Sequence, residues 1–70
     1  MSDLKITLKA ARVNAGLTVR DAAERLGVAA STIVAWEKNP EKINALCQRK
    51  ISEVYHIDTD NIIFLSENWN

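Results

Sequence analysis

Gly27 is the residue that most constrains what this chain can fold into. It lies in the middle of segment 17–37, Leu-Thr-Val-Arg-Asp-Ala-Ala-Glu-Arg-Leu-Gly-Val-Ala-Ala-Ser-Thr-Ile-Val-Ala-Trp-Glu. Helix signals stand on both sides of it. Thr18 is a good N-cap, and Asp21 follows three residues later, where a capping-box acid belongs. Ala22, Ala23 and Leu26 repeat at helical spacing. Gly27 then stops the helix, because glycine takes the left-handed conformation past a helix end with no Cβ penalty. Val28 follows as an apolar plug, and a second helix runs through Ile33 and Trp36. The spacing predicts two short helices across a tight turn.

The remaining signals extend this pattern. Thr7 can cap a first helix over 8–15, with Leu8, Ala11, Val13 and Ala15 as its apolar positions and Gly16 as its stop. Ile6 can act as a staple before that cap. Leu17 buries in the link to the helix over 19–26. The helix over 30–38 starts weakly, since Ala29 is a poor cap, and Asn39-Pro40 ends it. A loop over 40–43 leads to Asn44, which caps a helix over 45–55 with Cys47, Ile51, Val54 and Tyr55 as its buried stripe and Leu46 beside it. His56 fits a left-handed turn better than a metal site, and Ile57 resembles the Val28 plug. Asp58 can cap a last helix over 59–64; the run 61–65 looks β-like but follows a good helix start. The expectation is an all-α, compact five-helix domain over 7–64, with a lead at 1–6 and a tail at 65–70.

Composition narrows the function classes. A chain of 70 residues is expected to hold one domain with a thin core. Nine basic residues balance nine acidic ones, which argues against whole-surface attraction to nucleic acid but leaves room for a local basic face. With a single cysteine, no intrachain disulfide forms, and one Cys with one His cannot make a structural zinc site. Cys47 reads as a small buried hydrophobe. No glycine-rich phosphate loop, metal cluster or triad stands out, so neither an enzyme nor a cofactor is expected. No apolar run nears the roughly 18 residues of a membrane span, and a cytoplasmic location in a bacterial or phage-infected cell is expected.

Several pieces resemble one family together. These are Leu8-Lys9-Ala10-Ala11-Arg12, Ala15-Gly16-Leu17-Thr18, Ala22-Ala23-Glu24-Arg25-Leu26-Gly27-Val28, Ser31-Thr32-Ile33, Trp36-Glu37, Val54-Tyr55-His56-Ile57 and Asp60-Asn61-Ile62-Ile63-Phe64. With the gaps between them, they resemble the Cro/repressor helix-turn-helix family, over about four fifths of the chain. The opening and closing runs look like small regulators of temperate phages of Gram-positive bacteria. The resemblance implies a lambda-repressor-like fold whose recognition helix, 30–38, enters a DNA major groove. It also implies an ion pair between Arg12 and Glu37; the plain alternative is two unrelated surface charges.

The resemblance places base contacts at Ala29, Ala30, Ser31, Thr32, Val34 and Ala35. Ser31 and Thr32 can bond a base edge or a phosphate, while Ala30, Val34 and the Thr32 methyl suit thymine methyls. Two departures weaken readout: Val19 stands where the family often has Gln, and no Arg, Asn or Gln occupies the reading face. Arg20, Lys38 and Lys42 are candidate phosphate contacts; Lys5, Lys9, Arg49 and Lys50 read better as solvated charges. Trp36 reads as core rather than a stacking platform.

Two function classes follow. The first is a Cro-like transcriptional regulator, a homodimer on a pseudo-palindromic operator of double-stranded DNA, paired through Ile62, Phe64, Leu65 and Trp69. The second is an antirepressor or modulator that binds a partner repressor through the apolar face of the recognition helix, formed by Ala29, Ala30, Ile33 and Val34. An antitoxin of a two-gene module is a weaker third. No membrane partner is expected.

Overall fold

The computed structural model describes residues 4–65. Among them are four α-helices: α1 Leu8–Asn14, α2 Val19–Leu26, α3 Ala30–Lys38 and α4 Ala45–Tyr55. Single 3₁₀ turns at Pro40–Lys42 and Thr59–Asn61 and two short strands, β1 Ile6–Thr7 and β2 Ile62–Ile63, complete the set.

Three of the four helices start on side-chain caps. Thr7 Oγ1 accepts from the Ala10 N–H at 3.1 Å, and Asn44 Oδ1 accepts from the Cys47 N–H at 2.8 Å. Thr18 and Asp21 form a full capping box, each side chain accepting from the other's backbone N–H. Ala29, before α3, offers no side-chain cap.

Three helices also end alike. Gly16, Gly27 and His56 take φ of 77°, 73° and 57°. The next residue, apolar each time, then turns its N–H back to a carbonyl five residues earlier: Leu17 to Arg12, Val28 to Ala23, Ile57 to Ser52. In two of these ends the earlier residue returns the bond with its side chain. Arg12 Nη1 donates to the Leu17 carbonyl at 2.9 Å, and Ser52 Oγ donates to the Ile57 carbonyl at 2.6 Å.

The helices close over a core of Leu8, Ala11, Leu17, Ala22, Ala23, Leu26, Ile33, Ile43, Ile51, Tyr55 and Ile62. The plugs Val28 and Ile57 pack against it, as do Trp36, Cys47 and Val54. Leu46, beside the buried stripe of α4, is exposed.

The expected fifth helix over 59–64 does not form. Thr59–Asn61 makes one 3₁₀ turn, and the chain then extends, so that Ile6 pairs with Ile62 and Thr7 with Ile63 in a parallel ladder. Two β-branched residues in a row favour that extended pairing, and its partner strand lies at the other end of the sequence. The segment 40–43 is likewise more ordered than a loop: Pro40 opens a 3₁₀ turn, and Ile43 is buried. Among the described residues no helix is long and apolar enough to cross a membrane.

Candidate nucleic-acid interface

α2 and α3 are joined by Gly27, Val28 and Ala29. The left-handed Gly27 reverses the chain, and Val28 anchors the turn on the core. α3 buries Ile33 at 1% exposure and half-buries Trp36. Those two fix which side of the helix faces inward. Ala30, Val34 and Lys38 then fall four residues apart on the outer side, with Ser31 and Ala35 alongside, and all five are exposed. Thr32 lies off this stripe and is half-buried. Of the residues expected to meet bases, the fold gathers Ala30, Ser31, Val34 and Ala35 on one open face.

The start of α3 is electrostatically open. The Ala29 carbonyl accepts from Thr32 and Ile33, and with no side-chain cap the first N–H groups of the helix are left for solvent or an anion. Lys38 ends the same helix, Arg20 is the second residue of α2, and Lys42 closes the 3₁₀ turn after α3; all three side chains are exposed.

Behind the open face, Arg12 Nε donates to Glu37 Oε2 at 2.6 Å and Nη2 to Oε1 at 3.4 Å. The two side chains are 9% and 12% exposed. With its third contact, to the Leu17 carbonyl, Arg12 ties α1, the link before α2 and the last turn of α3 together. The hydrogen bonds that Arg12 donates to Glu37 raise the guanidinium pKa despite the opposing effect of burial. Tyr55 lies within the field of this pair. Its phenol is pushed up to about 12, first by burial and then by the Glu37 charge, with Arg12 acting the other way. At the start of α2, the Thr18 N–H holds the Asp21 carboxyl below its ordinary range.

The sequence reasoning missed the Leu17 carbonyl as part of this brace. The signal was present: Gly16 reverses the chain immediately before Leu17, which aims that carbonyl back at α1.

The C-terminal residues fare differently. Ile62 is 3% exposed and Phe64 packs against the core, so Ile62 offers no side chain to a partner. Leu65 is 70% exposed. Trp69 lies outside the described residues.

A family model described as helix-turn-helix matches residues 8–62. No curated protein matches the chain, and no solved structure does.

Proposed function

The chain belongs to the Cro/repressor type of helix-turn-helix family, whose members are DNA-binding transcription regulators, and from that membership we propose that it regulates a phage-type switch by laying α3 in a DNA major groove. The observation that supports this reading most is the exposed stripe Ala30, Ser31, Val34, Ala35 and Lys38 on a helix whose inner side is held by Ile33 and Trp36. Ser31 supplies the hydroxyl for a base edge, and Ala30 and Val34 supply contact with thymine methyls. Thr32, at the side of the stripe, suits a phosphate or a groove wall. Arg20, Lys38 and Lys42 hold the phosphates on either side.

The small, uncharged character of that stripe also favours a second reading. The same face can lie against a partner repressor, in which case the chain acts as an antirepressor with weak DNA binding of its own.

Electrophoretic mobility shift at low salt, with DNA from upstream of the chain's own coding sequence, separates the two. Salt-sensitive retardation with sequence preference supports the regulator. No retardation even at low salt, with tight capture of a co-encoded repressor, would sink it and favour the antirepressor.

A further inference from the structure

The zero net charge hides a division along the chain. All nine Lys and Arg residues lie at or before Lys50, and four of the nine acidic residues, Glu53, Asp58, Asp60 and Glu67, lie after it. α4 spans the division. Its first turn exposes Leu46, a residue 65% open to solvent, and Arg49 and Lys50 stand three and four residues on, on the same exposed face. This end of α4 is therefore an apolar knob among basic side chains, and the positive end of the helix dipole adds to that charge.

The other end of α4 holds the complement. Leu4, Ile6, Asn14, Ile57 and Asn61 line an open cleft of about 300 Å³. The Asn61 side-chain amide donates to the Leu4 carbonyl at 2.9 Å, which fixes the N-terminal wall of the cleft. Exposed Asp58 and Asp60 are the sequence neighbours of the lining residues Ile57 and Asn61, and Lys5 stands in sequence between Leu4 and Ile6. The negative end of the helix dipole points toward this side.

We propose that the cleft receives Leu46 of a second copy of this chain, with Arg49 and Lys50 of that copy meeting Asp58 and Asp60. Knob and cleft differ in shape and opposite in charge, and about 16 Å of helix separates them, so one copy cannot fill its own cleft. The contact is heterologous, and it leaves an open knob at one end of the pair and an open cleft at the other. Successive copies share one direction, which suits sites repeated in tandem. The inference does not depend on how α3 meets DNA.

Sedimentation velocity on the full chain tests it. The wild-type mass is expected to rise past that of a dimer with concentration and to fall with added salt. Leu46→Asp and Leu4→Asp, both at exposed positions, should each weaken association about tenfold or more. Mixed together they should form a dimer and nothing larger, because one variant keeps an intact cleft and the other an intact knob. Lys50→Asp and Asp60→Lys should each weaken association, and their mixture should restore it. Circular dichroism matching the wild type shows that each variant is folded. A wild type that stays monomeric, a closed dimer indifferent to Leu46→Asp, or mixtures that fail to pair would overturn the proposal.

Discussion

Arg12 reaches from α1 to Glu37 near the end of α3 and holds both carboxylate oxygens, at 2.6 and 3.4 Å. Its remaining nitrogen holds the Leu17 carbonyl. One guanidinium thus sets the angle at which the outer face of α3 leaves the core, linking the brace to what that face can meet.

Removing one partner should destabilise the fold sharply. Both side chains are nearly buried, so Arg12→Ala strands the Glu37 carboxylate and should cost about 3–5 kcal/mol. Arg12→Lys keeps the charge but loses the fork and should fall between the two. Urea denaturation reads both; a loss under about 1 kcal/mol for Arg12→Ala, the worth of an exposed pair, would make this a surface contact.

Two substitutions at helix ends should act in opposite directions. Nothing lies within 4 Å of a Cβ built on Gly27, so Gly27→Ala suffers only from its φ of 73°, at a cost of about 1–2 kcal/mol. His56 already bears that strain at φ 57°, and His56→Gly should gain up to about 1 kcal/mol, part of it offset by the freer unfolded chain. Thermal melts of the two variants check the signs, and a destabilised His56→Gly would point to a role for the imidazole.

Much of this scaffold is legible in the sequence because it is local. A cap and its N–H lie three residues apart, and a left-handed stop acts on the preceding turn; Thr7, Thr18, Asn44, Gly16 and Gly27 carry those signals alone. The pairing of Ile6 with Ile62 is not local. Ile62 read by itself fits a short helix, and only the arrival of β1 from the far end of the chain makes it a strand. The exposed stripe of α3 follows from the inward positions of Ile33 and Trp36, whereas the half-burial of Thr32 depends on neighbours that periodicity does not name. The brace was legible as a pair through family resemblance, and its third contact depends on the turn at Gly16.

Alkaline pH should loosen the fold through Tyr55. The phenol's pKa rises from 10.0 to about 12 in the folded chain. Between those values the unfolded chain has shed a proton that the folded one keeps. Stability is therefore intact below pH 10 and falls as pH rises toward 12, by at most about 1.4 kcal/mol per unit. Tyr55→Phe, lacking the ionisable group, should show a flatter slope in chemical denaturation across that range. Equal slopes would contradict the assignment.

Acid should act at the other end of the scale through the capping box. Asp21 is held below its usual pKa by Thr18, so its contribution is present above the ordinary carboxyl range and is lost as pH falls through the lowered value. Thr18→Ala removes the hydroxyl half of the box and should cost about 1 kcal/mol at neutral pH; because it keeps the backbone N–H that lowers the Asp21 pKa most, it should lessen the acid dependence only in part. NMR titration of the Asp21 carboxyl in both proteins checks this; an unchanged midpoint in Thr18→Ala would contradict it.

The central claim is that the outer face of α3 reads DNA while basic side chains hold the backbone. Binding to the upstream DNA across a salt series, measured for the wild type, for Ser31→Ala with Thr32→Ala, and for Lys38→Ala, tests it most directly. The account predicts that the double variant loses base preference with its salt slope unchanged. Lys38→Ala should weaken binding to every sequence alike and flatten the slope by about one unit. A double variant that keeps both affinity and base preference would contradict it.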